Sequence, residues 1–267
     1  MAASGLAGPG RSQPRPSDLA AVRAETCCPI VELRQYTLHP GARAAFTTLF
    51  ERQFIESQEV LGMRVIGQFW DLDDPNRFVW MRGFADMPAR AASLGAFYGG
   101  PVWKRYAREA NGAMLDSDNV LLLRPAWPGS GIPVARLKRP GPGAAVDDAG
   151  VVTVSLHYVD AEMIAPFTDF FQAAMKPRLQ ALGVPVFAEF VTEASENTFR
   201  GLPVRKRDHV FAWLSSFASQ ADCEARILGV RMSQAWREGA SDPILHQLAR
   251  KPEVLRLSPR SRSALRA

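Results

Sequence analysis

The two halves of this chain resemble each other. Residues 30–36, Ile-Val-Glu-Leu-Arg-Gln-Tyr, align with 151–157, Val-Val-Thr-Val-Ser-Leu-His, at an offset of 121 that also sets Phe46 on Phe167 and Gly62 on Gly183. The offset then rises to 133, where 78–84 falls on 211–217, pairing Trp80 with Trp213, and Trp103 falls on Trp236. Trp is rare, and two Trp pairs in one register argue for an internal repeat. The change of offset locates an insertion around 196–206, polar and containing Gly201-Leu202-Pro203, which reads as a lengthened hairpin loop.

Each half carries the same order of patterns. An extended segment rich in β-branched and aromatic residues, 30–38, precedes a helical pattern from about 41 to 59, with Phe46, Leu49, Phe50 and Phe54 on one face. Strands are predicted over 63–71 and 76–84, divided by the turn Asp73-Asp74-Pro75-Asn76. A second helical region, about 86 to 113 with a break at Gly99-Gly100-Pro101, leads to a short apolar strand at 120–123. This order, βαββαβ, is the ferredoxin-like unit, a four-stranded antiparallel sheet with helices on one face. The bare face must be covered, and the second copy can cover it. The expected fold class is therefore α+β: two tandem ferredoxin-like units packed sheet to sheet as an intramolecular dimeric α+β barrel, complete as a monomer or pairing again as a homodimer.

The stretch 126–150 holds five Gly and four Pro and no hydrophobic period, so it is expected to link the units without joining either core. The predicted organisation is a disordered tail, 1–26, a first domain, 27–125, the linker, a second domain, 151–257, and a basic tail, 258–267. Charge follows the same divisions. The net +5 is the sum of +1 in 1–26, +1 in 126–150 and +3 in 258–267, while the two domains balance. Basicity confined to tails and a linker argues against a nucleic-acid-binding face. No apolar run reaches the length of a membrane span, and the N-terminus lacks the apolar stretch of a secretory signal. Pro9, Pro14 and Pro16 count against the amphipathic helix of a transit peptide. Cys27, Cys28 and Cys223 make no zinc spacing and no disulfide framework, so a reducing, cytoplasmic setting is expected.

Several of these residues carry a resemblance. Glu32-Leu33-Arg34-Gln35-Tyr36 leads to Pro40-Gly41; Gly67-Gln68-Phe69-Trp70 and Asn76-Arg77 precede Val79-Trp80-Met81-Arg82; Arg90 and Gly100-Pro101-Val102-Trp103 follow. Together they resemble the NIPSNAP family, small domains of the dimeric α+β barrel superfamily. The resemblance covers about 30–125 and is weaker across 151–257, where it rests mainly on Gly183, 209–213 and Trp236. There Thr153, Ser155 and His157 replace the Glu-x-Arg-x-Tyr signature. The resemblance implies the fold. For activity it implies vesicle or mitochondrial roles or proteins of unknown function, with cofactor-free monooxygenases and haem enzymes among more distant barrel relatives.

Strand alternation assigns faces. With Val31 and Leu33 turned to the helices, Glu32, Arg34 and Tyr36 are expected inside the barrel, joined by Gln68, Trp70, Trp80 and Arg82. Arg34 and Arg82 would hold a ligand carboxylate or phenolate between walls of Trp70, Trp80 and Tyr36. The plainer alternative is a buried structural ion pair of Glu32 with Arg34 or Arg82, the Trp residues being core. In the second half the inward set becomes Thr153, Ser155, His157, Phe187, Glu189, Trp213 and Ser215, with His157 as a candidate base oriented by Glu189.

His39, His209 and His246 share no ligand spacing, so no metal and no cofactor are predicted. Gly99-Gly100-Pro101 is no phosphate loop, and Gly129-Ser130-Gly131 lacks the elbow of a nucleophilic Ser. Two functional readings follow, with haem binding as a third. One is a non-enzymatic protein that binds a small aromatic or anionic molecule, or a protein partner, through the barrel or the 195–207 loop. The other is a cofactor-independent monooxygenase or lyase for an aromatic or quinol substrate, with Arg34, Tyr36 and His157 as the catalytic candidates.

Overall fold

Alternation of apolar Val31 and Leu33 with polar Glu32 and Arg34 makes Ile30–Leu38 a strand, β1, and the positive φ of Gly41 (+78°) turns the chain into helix α1, Arg43–Leu49. A π-helical turn, Phe50–Phe54, carries α1 into α2, Glu56–Glu59, and Gly62 (φ +87°) turns the chain toward β2, Arg64–Asp71. Strand β3, Arg77–Phe84, precedes α3, Met87–Gly99, whose first turn is capped by the Asp86 carboxylate accepting from Ala89 N at 2.7 Å. Pro101 then opens α4, Pro101–Ala113, and β4, Met114–Pro125, ends the first half.

The second half runs through β5, Val151–Val159, α5, Ile164–Phe170, a second π-helical turn, Phe171–Met175, and α6, Lys176–Ala181. Gly183 (φ +76°) then leads to β6, Val186–Thr192, and β7, His209–Phe217. Helix α7, Gln220–Met232, is capped by Ser219; α8, Gln234–Gly239, and β8, Glu253–Pro259, follow. The computed structural model describes residues 25–145, 150–239 and 242–267. The expected N-terminal tail lies outside the described residues up to position 24, as do positions 146–149 of the expected linker.

The eight strands close a barrel in the order β1-β3-β2-β8-β5-β7-β6-β4, every pair antiparallel. Two four-stranded sheets meet edge to edge, β4 on β6 and β2 on β8, so neither leaves an unpaired edge. In β1 and β3, Glu32 lies opposite Arg82 and Arg34 opposite Trp80. In β5 and β7, Thr153 lies opposite Ser215 and Ser155 opposite Trp213.

The barrel interior corrects the face assignment. It is filled by Val31, Leu33, Ile66, Phe69, Val79, Met81, Leu121 and Leu123 from one half, with Val152, Val154, Leu156, Phe190, Leu214 and Leu257 among those from the other. Alternation along the strands holds, but the polar set lies on the outer face, under the helices. Glu32, Arg34, Tyr36, Gln68, Trp70, Trp80, Arg82, Thr153, Ser155, His157, Glu189, Trp213 and Ser215 are therefore outside the barrel lumen. A buried charge needs partners. Helices supply them here, through Arg90 of α3 and Gln58 of α2, whereas a lumen walled by strands is filled most favourably by branched aliphatic side chains. Phe187 departs from its expected partners. A register shift between Val186 and Ala188 sends it to the barrel cluster, away from Glu189.

The connecting segments differ from expectation as well. Ile132 and Leu137 of the linker, and Ala264 and Leu265 of the C-terminal segment, are buried in the barrel cluster, and Leu137 bridges Leu265. Arg262 is buried too, reaching Glu56 and the main chain of Glu51 and Pro140, so the C-terminal segment is not a solvated tail. These residues cover a lumen that the strands alone would leave open to water. Cys27 and Cys28 are joined by a disulfide between neighbours, which closes no chain loop.

Candidate functional site

Between the first sheet and its helices lies a buried charge cluster. Glu32 receives Arg34 Nη1 at 2.9 Å and Arg82 Nε at 2.8 Å on one carboxylate oxygen, and Arg90 Nε at 2.6 Å on the other. All four side chains are excluded from solvent. Burial acts to raise the Glu32 pKa, but Arg82, Arg34 and Arg90 outweigh it and hold the carboxyl well below the usual carboxylate range. Arg34 also donates to the Tyr36 hydroxyl at 2.9 Å, and Arg82 to Gln58 Oε1 at 2.9 Å. Tyr36 Oη stays protonated, burial pushing its pKa up against the pull of the Arg34 guanidinium. Aromatic rings close the space. Arg82 lies 4.9 Å from the centre of the Trp80 ring; beyond it Phe54 packs edge to face on Phe50 and Phe97, and Phe97 lies tilted against Trp103. Only about 20 Å³ stays empty, room for a single water.

The corresponding space in the second half is open. A cleft of about 640 Å³ runs between β5, β7 and β8 and the helices α6, α7 and α8. Thr153, Ser155 and Trp213 form its floor; Leu179, Val184, Phe217, Ile227, Val230 and Trp236 form its walls. Asp73, Glu224, Leu228, Arg231, Val254 and Arg256 complete the lining, with Leu228 and Val254 exposed. The difference between the halves lies in side-chain bulk. Thr153 and Ser215 occupy the register of Glu32 and Arg82, and Ser155 that of Arg34. The fourth residue of α3 is Arg90; that of α7 is Cys223. Four long charged side chains are replaced by four short ones, and two of these, Thr153 and Ser155, line the cleft. Thr153 and Ser155 make no side-chain hydrogen bond among the described residues, and both line the cleft.

The expected base and its orienting carboxylate are not brought together. His157 Nε2 accepts from Trp213 Nε1 at 3.1 Å, and its ring packs on Phe167. Burial lowers its pKa from 6.5 to about 4, so the imidazole is neutral near pH 7. Because Nε2 accepts, Nδ1 carries the proton, and it has no partner among the described residues. Glu189 binds Lys176 instead. Burial pushes the Glu189 pKa up, against the pull of Lys176. Gln68 and Trp70, nominated as ligand-binding, serve packing: Gln68 Nε2 donates to Glu51 at 3.2 Å and Trp70 Nε1 to Thr47 at 2.8 Å.

Gln58 and Asn197 were not singled out in the sequence, and Arg90 stood there only as a mark of the family resemblance, not as a site residue. The signal for Arg90 was an arginine at the spacing of Met87, Leu94 and Phe97, the buried stripe of α3. Asn197 sits in the 193–208 connection and reaches Arg90 Nη1 at 2.9 Å across the halves. Among the described residues no group of three or more His, Cys, Asp or Glu could hold a metal, and no helix is long and apolar enough to cross a membrane.

Comparisons with known proteins agree with the geometry. The NIPSNAP family model matches residues 31–127. A provisionally assigned monooxygenase from Lactobacillus acidophilus NCFM has a similar structure over 88% of this chain and 94% of its own, with 12% identity and a TM-score of 0.51. Another from Fusobacterium nucleatum is similar over 87% and 92%, with 8% identity and a TM-score of 0.52. At these identities the likeness speaks for the barrel fold alone. A NIPSNAP family protein of unknown function from Agrobacterium tumefaciens covers 36% of this chain and 86% of its own, at 23% identity and a TM-score of 0.34. No curated protein matches the chain.

Proposed function

We propose, from the premise that residues 31–127 belong to the NIPSNAP family, that residues 151–257 are a second, divergent NIPSNAP-like domain and that it binds a small hydroxylated aromatic molecule. The observation that carries the reading is the 640 Å³ cleft with the hydroxyl residues Thr153 and Ser155 on its floor between apolar walls. Its volume falls in the usual range for small-molecule sites, and its composition is that of such sites: apolar walls with a few polar groups to fix orientation. Trp213 and Trp236 offer flat surfaces to a ring, and Thr153 and Ser155 can each donate to or accept from a ligand oxygen. The charged cluster of the first half serves in this reading to hold helices on the sheet.

A cofactor-independent monooxygenase needs a base or an anion-stabilising group at the reacting ring. His157 stands behind Trp213 and does not line the cleft, and Arg256 at its mouth is engaged by Asp73 and Glu224. Binding without turnover is the reading these positions favour.

The test is fluorescence titration of the purified full chain with 2-naphthol, alongside native mass spectrometry of whatever co-purifies. Saturable 1:1 binding that is abolished by Ser155→Phe is expected. Absence of saturable binding by the folded protein, or binding unchanged by that substitution, would withdraw the assignment.

A further inference from the structure

The connection between β2 and β3 spans only 72–76, whereas that between β6 and β7 spans 193–208. Each reaches across to the opposite half. The short turn touches the rim of the open cleft through Leu72 and Asp73. The long loop enters the closed space of the first half. Asn197 Oδ1 accepts from Arg90 Nη1 at 2.9 Å, Thr198 Oγ1 approaches the same nitrogen at 3.4 Å, and Phe199 stacks on Tyr98 with ring centroids 5.7 Å apart. Leu202 packs in the same aromatic cluster.

The contacts are those a ligand would make: oxygen acceptors on a guanidinium, with a ring stacked on a ring. They are also electrically incomplete. Three buried guanidiniums, Arg34, Arg82 and Arg90, face the one carboxylate of Glu32, and the loop adds only neutral acceptors. Arg82 Nη2 and Arg90 Nη2, both fully buried, have no hydrogen-bond partner among the described residues. A desolvated excess of positive charge is costly, and an anion paired with it would be held strongly. The loop is tied to β4 near its two ends, Glu193 N to Leu122 O at 2.8 Å and Arg205 N to Val120 O at 2.9 Å, so what can withdraw is the stretch between them. Ala194, Ser195, Glu196, Arg200 and Gly201 are exposed, and its tip is folded on itself through Asn197 Nδ2 to Leu202 O at 2.9 Å.

We propose that the space around Arg90 and Tyr98 is a binding site for an aromatic carboxylate, and that the 193–208 loop occupies it in place of ligand. The site differs in chemistry from the hydroxyl-lined cleft of the second half and does not depend on it. When the loop withdraws, the carboxylate pairs with Arg90 and Arg82 and the ring takes the place of Phe199 on Tyr98. Ligand and loop therefore compete, so the loop sets the apparent affinity.

The test uses 2-naphthoate and the full chain. The double variant Asn197→Ala, Phe199→Ala removes the acceptor on Arg90 and the ring on Tyr98 while keeping the arginines and the loop's ties to β4, and it should bind 2-naphthoate at least tenfold more tightly than the wild type by calorimetry. Adding Arg90→Met should cancel the gain, and 2-naphthol should show none, which separates this site from the second-half cleft. In the wild type, saturating 2-naphthoate should speed amide exchange across 193–208. A folded double variant that binds no more tightly, or a gain that survives Arg90→Met, would overturn the proposal. Unaltered exchange of the loop in the wild type at saturation would do so even if the double variant does not fold.

Discussion

Arg82 stands opposite Glu32 across the β1–β3 ladder and donates Nε to its carboxylate at 2.8 Å; Ser215 stands opposite Thr153 in the β5–β7 ladder, and Thr153 lines the open cleft. The same backbone relationship is thus filled by an ion pair in one half and by two small hydroxyl residues in the other. The sheet and helices keep their places in both. What changes is whether the layer between them is solid or hollow.

Glu32 is the one anion in its cluster, and removing its charge strands three arginines. Glu32→Gln should cost about 3–5 kcal/mol at pH 7, the range for breaking a buried pair on one side, read as a fall in urea midpoint. The sign of the pH dependence follows from its depressed pKa. The stabilisation is complete above the ordinary carboxylate range near 4.5 and is lost as pH falls toward the lower folded value. The gap between wild type and variant should therefore narrow below about pH 4. A gap that stays constant down to pH 2 would mean that the carboxylate charge is not what the arginines need.

His157 supplies the opposite case, a base buried in its neutral form. Above about pH 6.5 it is neutral folded and unfolded, and contributes nothing. Between 6.5 and about 4 the unfolded chain takes up a proton that the folded one refuses, so stability falls as pH drops, by up to about 3 kcal/mol. Below 4 both states are protonated and the loss levels off. His157→Phe should lack this slope, so the difference between the two stability profiles isolates it. The Trp213 emission should respond with a midpoint near 4. A midpoint near 6.5 would contradict the burial.

Much of this arrangement was legible in the residues. The offsets that align Tyr36 with His157 and Trp80 with Trp213 reappear as strand register, with Arg34 opposite Trp80 and Ser155 opposite Trp213. Alternation sorted side chains into two faces. It could not say which face was the lumen, because Val31 and Leu33 are as suited to packing on helices as to filling a barrel. That choice depends on Gln58, Arg90 and Asn197, which lie far from β1 in sequence and carry no pattern linking them to Glu32. The cleft was invisible for a related reason: Thr153 and Ser155 read as modest polar residues until the bulk of their counterparts is known. Ile132 and Leu137, set among prolines and glycines, show no period, yet each fills the barrel.

Cys223 is the single thiol outside the Cys27–Cys28 disulfide. Burial pushes its pKa up to about 11, leaving on the order of one thiolate in a thousand at pH 8. The native protein should show no thiol reacting quickly with Ellman's reagent, and one in denaturant. Three in denaturant without reductant would show that Cys27 and Cys28 are unbonded; one in the native state would show that the face of α7 carrying Cys223 is not buried against the second sheet.

Filling and emptying should have opposite consequences on the two faces of the sheet. Phe69 lies fully buried in the barrel lumen, where closure by eight strands leaves its neighbours little freedom to collapse into a void. Phe69→Ala should cost about 3–5 kcal/mol through lost burial and the cavity left behind. Ser155→Phe places a ring of similar size in space that is already open, so it overpacks nothing and covers apolar floor. Its stability should stay within about 1 kcal/mol of the wild type while the ring covers the floor of the 640 Å³ cleft where the ligand would bind. Chemical denaturation of both variants reads the contrast directly. If Ser155→Phe destabilises the fold as severely as Phe69→Ala does, the second sheet and its helices are packed as tightly as the lumen and the cleft is not a preformed space.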